Sequence, residues 1–288
     1  MGDGRFDLSG FVIGVTAARS ADAQAEQIRR LGGEPVIAPT LATESADAEQ
    51  QRTAVGEFLD ALAAGDVSMV ILLTGVGTRA LVAAATELGR RSDLEQGLRS
   101  VTVLARGYKC VAALRTFGRY PDLIPAEATT GGVIAELEAW TRAGRNLRGK
   151  QVFVQAYGAP AAELCAVLTA HGAETGTIPL YRYRLPDDEA PVLALLDRIA
   201  AGELDAVTFT SPPAASHLFL IAEAHERADL LRVDLKRPGI AVAAVGPSTA
   251  AALEAQGVTP HAVADPPRLF PMLERLAEHL AAVGPRMA

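Results

Sequence analysis

The chain has 288 residues, a length that favours two domains, each large enough to bury its own core. Hydrophobic residues make up 49% and aromatic residues 5%, which is typical of an α/β protein whose helices pack closely on sheets. The formal net charge of −7 argues against a general nucleic-acid binder, although a local group of arginines could still bind an anionic ligand.

Short apolar runs alternate with helical patterns in the first half of the chain. Strands are predicted at 11–16, 67–73 and 101–104, and an extended segment with two prolines at 35–43. Helices are predicted after the cap residue Ser20 and at 48–64, 78–88, 108–117 and 133–140.

The second half of the chain continues the same alternation. Extended segments are predicted at 152–155, 177–184, 206–210, 240–245 and 261–264. Helices are predicted at 161–170, 192–201, 214–224, 248–255 and 269–282. This alternation predicts doubly wound parallel sheets, in which ligands bind beyond the carboxyl ends of the strands.

The two halves also share residues at a constant spacing. Four residues recur 139 positions later without a gap: Gly107, Leu114, Gly118 and Pro121 in the first copy, and Gly246, Leu253, Gly257 and Pro260 in the second. Further matches fall at offsets of 140 and 136, which indicates a duplicated α/β unit of about half the chain. Each copy contains a strand, a glycine turn and a helix start, where backbone N–H groups and the helix dipole favour an anion.

The turn at 75–80 has the pattern GxGxxA and raises the alternative of an NAD(P) enzyme. The turn lies mid-domain, and no clear strand with an acidic end follows its helix, so another anion or polar group fits better. The equivalent segment at 210–213 has none of these glycines. Metal-binding, phosphate-loop and nucleophile-elbow patterns are absent from the sequence, which favours catalysis by positioning and backbone electrostatics.

Several polar side chains lie on these turns. Arg106 and Lys109 flank a strand-to-helix turn, and Arg19 follows the first strand in the same way, although a solvated surface explains them as simply. Tyr181 belongs to the alternating segment YRYR, where packing on a sheet edge is the simpler interpretation. Ser248 and Thr249 begin a helix, either as plain caps or as hydroxyls that meet a ligand.

The remaining signals concern compartment and cysteine chemistry. Cys110 and Cys165 lie in apolar helical patterns without a metal-binding companion, so we expect small buried side chains rather than a disulfide framework or a zinc site. The N-terminal residues lack a basic segment followed by an apolar run, and no stretch reaches 18 consecutive apolar residues. We therefore expect a cytoplasmic protein with no membrane partner.

Four segments stand in a characteristic order: VTAARSADAQAEQIRRLGGEPVIAPTL near the start, PLYRYR, the TSP turn at 210–212, and AVGPSTAAALEAQGVTPHAVADPP from Ala244. Together they resemble the uroporphyrinogen-III synthase family over about residues 11–282. The turns TGVGTR and LARGYK resemble a bacterial subset that includes enzymes and synthase-like regulators. Those regulators carry a C-terminal DNA-binding domain, and no recognition-helix segment is evident here, which favours the enzyme.

The resemblance implies an α/β fold of two similar, doubly wound parallel-sheet domains (flavodoxin-like), joined by a two-stranded linker with a cleft between them. One domain would combine residues 1–38 and 185–288, and the other would comprise 46–174. Segments 39–45 and 175–184 would form the linker strands.

The implied activity is the cyclisation of hydroxymethylbilane, a linear tetrapyrrole with many carboxylates, to uroporphyrinogen III, with inversion of ring D and loss of water, in haem, sirohaem and cobalamin biosynthesis. No cofactor, metal or nucleic acid is expected, and a monomer is expected. The alternative is a non-catalytic ligand sensor with the same fold.

By the same resemblance, Tyr181 is the catalytic residue, assisting loss of the hydroxyl. The substrate-binding residues expected on the turns are Thr16, Arg19, Thr74, Gly75, Val76, Gly77, Arg106, Gly107, Lys109, Thr129, Thr130, Tyr157, Gly158, Ser211, Gly246, Ser248 and Thr249.

Overall fold

The computed structural model describes residues 6–45, 47–157 and 161–284, which contain ten strands and twelve helices. The strands are β1 (Val12–Val15), β2 (Glu34–Ile37), β3 (Ala42–Ser45), β4 (Val67–Leu72), β5 (Thr102–Ala105), β6 (Gln151–Tyr157), β7 (Glu174–Arg184), β8 (Ala206–Phe209), β9 (Ala241–Ala244) and β10 (Ala262–Val263). The helices are α1 (Ala21–Arg30), α2 (Ala48–Ala64), α3 (Gly75–Glu87), α4 (Arg91–Ser100), α5 (Tyr108–Arg115), α6 (Thr130–Arg142), α7 (Ala161–Ala170), α8 (Ala190–Ala200), α9 (Pro212–Ala224), α10 (Ala228–Asp234), α11 (Pro247–Ala255) and α12 (Leu269–Val283).

The chain divides into two compact units. Unit 1 comprises Met1–Ala42 and Arg184–Ala288, and unit 2 comprises Thr43–Tyr183. The predicted boundaries, which set 39–45 and 175–184 apart as a linker, stay a prediction. In the part of the chain that the structure describes, no helix is both long and apolar enough to cross a membrane.

Unit 1 is built on a five-stranded sheet in the order β10-β9-β8-β1-β2, with parallel pairing throughout. Successive residues of β9 point to opposite faces, so Ala241 and Ala243 pack with α1 and α12, whereas Val242 and Ala244 pack with α8 to α11. Both faces are therefore covered, as expected of a parallel sheet whose strands are apolar throughout.

Unit 2 has the strand order β3-β7-β6-β4-β5, and its β7–β6, β6–β4 and β4–β5 pairs are parallel. In β4, Val70 and Leu72 pack against α2 to α5, whereas Met69 and Ile71 pack against α6 and α7. An isolated bridge between Leu104 and Leu123 lies on the outer side of β5.

The two units have the same plan, and this confirms the predicted α/β fold with two similar parallel-sheet units. The run β2-β1-β8-β9 in unit 1 corresponds to β7-β6-β4-β5 in unit 2. The single bridge at Leu123 takes the place that β10 has in unit 1. The sheet of unit 2 differs by the additional edge strand β3.

Several local predictions were wrong. The helix expected from residue 78 begins at Gly75, because the Thr74 side chain accepts a hydrogen bond from the Gly77 N–H and makes the glycine turn its first turn. Helices α4 and α10 were not predicted at all. Ser20 precedes α1 in the left-handed region, with φ 63°, and its side chain makes no capping hydrogen bond.

The two cysteines differ in exposure. Cys110 is buried as predicted, and burial raises the pKa of its thiol above the ordinary value. Cys165 is only half-buried.

Candidate functional site

The candidate residues of unit 2 gather at helix starts that follow the carboxyl ends of its strands. Thr74 follows β4, and its Oγ1 accepts a hydrogen bond from the Gly77 N–H at 3.0 Å. The Thr74 N–H donates to Oε1 of Gln155 at 3.0 Å, and Gln155 is fully buried in β6. The first turn of α3 is therefore fixed both by its own cap and by the neighbouring strand.

Two predicted glycines are required by close packing in this turn. A Cβ atom on Gly77 would lie 2.0 Å from Nε2 of Gln155, and one on Gly75 would lie 2.3 Å from the carbonyl oxygen of Lys109. Packing alone thus explains why the turn has glycine at both positions. The GxGxxA pattern needs no dinucleotide to account for it. Val76 lies between them and packs at the edge of the apolar cluster of α2 to α5.

Tyr181 lies at the same helix start. Its hydroxyl donates to Oγ1 of Thr74 at 2.9 Å, and the residue is only 5% exposed. The hydroxyl of Tyr183 lies 3.4 Å from that of Tyr181, with the two rings edge to face at 5.3 Å. The structure thus joins Thr74, Tyr181, Tyr183 and Gln155 into one polar group.

Two members of that group, Gln155 and Tyr183, were missed by the sequence analysis. Tyr183 could have been found, because residues i and i+2 of a strand share a face and the YRYR alternation was visible. Gln155 has no local signal beyond its position near the end of an apolar strand.

The start of α5 presents a second set of predicted residues. Arg106 follows β5, and Gly107 precedes the helix in extended conformation without a side-chain cap. A Cβ on Gly107 would lie 2.9 Å from Cβ of Ala128, so this glycine also permits a close approach. Lys109 is exposed, with its Nζ 5.9 Å from the centre of the Tyr108 ring.

Helix α6 begins at Thr130, earlier than the predicted start at 133, and Thr129 caps it. Oγ1 of Thr129 accepts a hydrogen bond from the Gly132 N–H at 2.9 Å. Thr130 is the first residue of the helix, and both threonines are partly exposed. Tyr157 is the last residue of β6, and Gly158 lies outside the described residues.

Unit 1 has matching helix starts. Ser211 caps α9 by accepting a hydrogen bond from the Ala214 N–H at 3.4 Å. Gly246 precedes α11 without a side-chain cap, and a Cβ there would lie 2.5 Å from Cβ of Pro267. Thr249 is only 2% exposed in the first turn of α11, whereas Ser248 is partly exposed.

The two remaining candidates of unit 1 differ in environment. Thr16 is fully buried, and its hydroxyl donates to the carbonyl oxygen of Thr208 at 2.8 Å. Arg19 is exposed. As substrate ligands, these two residues and those of the helix starts stay predictions.

Two other features of the described residues bear on chemistry. No cluster of three or more His, Cys, Asp or Glu within them could hold a metal ion. A cavity of about 500 Å³ in unit 2 is lined by Asp47, Glu49, Glu57 and Thr177 among others, and includes none of the predicted site residues. Its carboxylates would repel an anionic ligand.

The fold and the helix starts define a duplicated, doubly wound α/β protein whose candidate ligand groups follow the carboxyl ends of its strands. The model of the uroporphyrinogen-III synthase HemD family matches residues 22–274, and the chain belongs to that family.

Two curated relatives align over most of the chain. "Uncharacterized protein YjjA" of Bacillus subtilis (strain 168) is 30% identical over 272 residues, 94% of this chain and 97% of the relative. "Putative uroporphyrinogen-III synthase" of Methanothermobacter thermautotrophicus is 32% identical over 241 residues, 84% of this chain and 87% of the relative.

Solved structures show the same fold. A mutant uroporphyrinogen III synthase from the extremely thermophilic bacterium Thermus thermophilus has a TM-score of 0.76 and 28% identity, over 95% of this chain and 100% of that chain. A uroporphyrinogen-III synthetase from Helicobacter pylori 26695 has a TM-score of 0.51 and 16% identity, over 94% and 99% of the two chains, and supports the fold alone.

Proposed function

We propose that this protein is a uroporphyrinogen-III synthase that converts hydroxymethylbilane to uroporphyrinogen III. The observation that carries the proposal is the family match over residues 22–274, which includes β2 to β10 together with the helix starts that follow them. The likeness to the Thermus thermophilus synthase, at 28% identity over 95% of this chain, supports it.

Each unit has helix starts that suit a substrate with many carboxylates. Many carboxylates must be bound while the macrocycle closes, and a helix start offers oriented N–H groups together with a partial positive charge. The helices α5 and α11 begin after Gly107 and Gly246 without side-chain caps, and we propose that ligand carboxylates bind at these two helix starts. Arg106 and Lys109 add positive charge at the start of α5.

The reaction as we propose it removes one water. The bond from the hydroxymethyl carbon to its oxygen breaks as that oxygen receives a proton, and this carbon bonds to the ring D carbon that carries the bridge to ring C. The bond from that ring D carbon to the bridge then breaks, the bridge re-forms at the free α-carbon of ring D, and that carbon loses its proton, so that ring D is inverted. Tyr181 is the proposed proton donor, and Thr74 and Tyr183, which contact its hydroxyl, orient it. We propose that the enzyme acts without a cofactor, as a cytoplasmic monomer of the bacterial subset with TGVG and LARG turns.

One observation favours a second candidate, a non-catalytic sensor of the same ligand. The Tyr181 residue is only 5% exposed and its phenol donates to Thr74, so its proton is engaged within the protein in this structure. A sensor would bind the tetrapyrrole without converting it.

The test is an isomer assay. Hydroxymethylbilane is generated enzymatically in the presence of the full chain, the products are oxidised, and isomers I and III are separated and compared with a buffer-only control. The synthase predicts isomer III in excess. Isomer I alone would overturn the proposal, and saturable binding of uroporphyrinogen III under those conditions would then identify the sensor.

A further inference from the structure

The repeat places two different side chains in the same backbone arrangement. Asp122 and His261 are 139 residues apart, directly after the repeated prolines. In unit 2 the Asp122 N–H donates to the Val103 carbonyl at 2.8 Å, and Oδ2 of Asp122 accepts from the Val103 N–H at 2.8 Å. In unit 1 the His261 N–H donates to the Val242 carbonyl at 2.8 Å, and Nδ1 of His261 accepts from the Val242 N–H at 3.1 Å.

The two acceptors respond differently to protons. An ionised carboxylate only accepts hydrogen bonds, and aspartate ordinarily ionises far below neutral pH. An imidazole accepts at Nδ1 only when that nitrogen carries no proton, which here requires the neutral tautomer with hydrogen on Nε2. A second proton on His261 would place two donors, Nδ1–H and the Val242 N–H, against each other.

The surroundings of His261 make that second proton unfavourable in the folded state. The ring of His279, on α12, lies 5.1 Å away, and burial followed by the charge of His279 lowers the pKa of His261. The packed strands β9 and β10 carry no ionisable side chain. Two acidic side chains of neighbouring elements have other partners. Glu278 on α12 pairs with Arg275 at 3.1 Å, and the Asp205 carboxylate, before β8, accepts a hydrogen bond from the Val12 N–H at 2.7 Å.

The strand that follows His261 is short. β10 has two residues, which pair with Ala243 and Ala244 at the edge of the sheet, and the next residue, Ala264, donates to the Ala244 carbonyl at 3.1 Å. The bond from Val242 to the imidazole adds one hydrogen bond to this edge, where Ala262 and Ala264 are also buried against α12.

We propose that His261 is a proton-operated latch in unit 1. A neutral ring binds the start of β10 to β9 through the Val242 N–H, and protonation loosens this edge. Because a lowered folded-state pKa means that the released state binds the proton more readily, the latch is closed above the ordinary histidine pKa of about 6.5 and opens as the pH falls from there through the lowered folded-state pKa.

The experiment compares two amides in the same full-length protein. Hydrogen-exchange protection factors of Val242 and Val103 are measured at about pH 7.5 and about pH 5.5, on either side of the ordinary histidine pKa. Protection of Val242 should fall roughly tenfold at the lower pH, as expected for loss of one hydrogen bond, while that of Val103 stays constant. Equal responses of the two amides would overturn the proposal.

Variants separate the latch from general acid sensitivity. His261→Asp installs the side chain that unit 2 has at this position, and Val242 should then lose its pH response. His261→Asn has a neutral amide oxygen as the acceptor and should also abolish the pH response of Val242. It replaces the aspartate variant if that variant does not fold. His279→Gln keeps the His261 acceptor but removes the neighbouring charge, so the Val242 response should persist with its midpoint moved to higher pH. If the pH dependence of Val242 protection is unchanged in both His261 variants, the proposal is wrong.

Discussion

Gln155 shows how a single residue organises the helix start next to it. Its Oε1 accepts a hydrogen bond from the Thr74 N–H at 3.0 Å, and its Nε2 occupies the space that a side chain on Gly77 would need. Thr74 in turn accepts a hydrogen bond from the Tyr181 hydroxyl at 2.9 Å. A change at Gly77 should therefore affect Tyr181 through two intervening residues, Gln155 and Thr74, without direct contact.

Gly77→Ala should destabilise unit 2. The new Cβ would lie 2.0 Å from Nε2 of Gln155, so the buried amide must move, and such overpacking costs about 1–3 kcal/mol. Denaturant unfolding measures the change. Gly131→Ala is the matched control, because a Cβ there meets only Oγ1 of Thr129 at 3.8 Å and should leave stability nearly unchanged. Adding Gln155→Ala to Gly77→Ala should recover part of the loss, and strictly additive effects would contradict the packing explanation.

Tyr181→Phe tests the proposed proton donor. The phenyl ring keeps its place in the apolar cluster, while the hydroxyl that donates to Thr74 is lost. Turnover of hydroxymethylbilane should fall by about 10²–10⁴-fold, the usual contribution of one general acid. The assay is the rate of isomer III formation, with Thr74→Ser as the variant that keeps the hydroxyl acceptor. Unchanged turnover would remove Tyr181 from the chemistry, and complete loss with an intact fold would contradict catalysis that rests mainly on positioning.

At the scale of elements, equivalent helices of the two units begin differently. Thr129 caps α6 through the Gly132 N–H at 2.9 Å. Its counterpart 139 positions later is Arg268, which precedes α12 without a side-chain capping bond. The longer α12 buries Met272, Leu273 and Leu276 on its apolar face, so its packing stabilises it without a cap. Helix α6 depends on both packing and the Thr129 cap.

Thr129→Ala should cost about 1 kcal/mol of stability, because the first turn of α6 loses the acceptor of the Gly132 N–H. Thermal unfolding measures the loss, and Thr129→Ser, which keeps the oxygen, should stay close to the parent protein. If Thr129 also binds a substrate carboxylate, the alanine variant should raise KM beyond what the stability change explains. A loss of stability in the serine variant as large as in alanine would show that the cap is not the cause.

Most elements were predictable, because apolar periodicity is a local signal. The helix at Ala161–Ala170 was predicted with the bounds that the structure has, and α2 likewise. Helix α4 was missed because it buries few side chains, Leu94 and Leu98 together with Gly97, where an added Cβ would lie 2.9 Å from Leu62. Helix α10 has only seven residues, too short for a clear period.

The candidate site was less predictable, because it depends on contacts between distant residues. The turn glycines, Thr129 and Tyr181 were candidates from the sequence. The partners that decide their geometry were not: Gln155 lies 81 residues from Thr74, and His279 meets His261 only because α12 packs on the β10 edge. Contacts of this kind follow from tertiary packing, which a periodic pattern does not specify.

For the whole molecule, the duplication predicts two separately stabilised bodies. Each unit has a sheet of five strands covered on both faces, and among the described residues two of the four hydrophobic clusters belong to each unit. Leu81 on α3 is a core residue of unit 2, and Leu218 on α9 is a core residue of unit 1, both almost completely buried.

Leu81→Ala and Leu218→Ala should therefore act on different transitions. Each substitution removes buried methyl groups and leaves a cavity, which costs about 2–5 kcal/mol within the unit that carries it. Calorimetry or urea unfolding of the full chain should show one of two transitions lowered by Leu81→Ala and the other by Leu218→Ala, with the double variant additive. Leu220→Ala is the control on α9, since Leu220 is 50% exposed and should change neither transition appreciably. If both core variants lower one shared transition, the units unfold together, and the energetic independence that the duplication suggests is wrong.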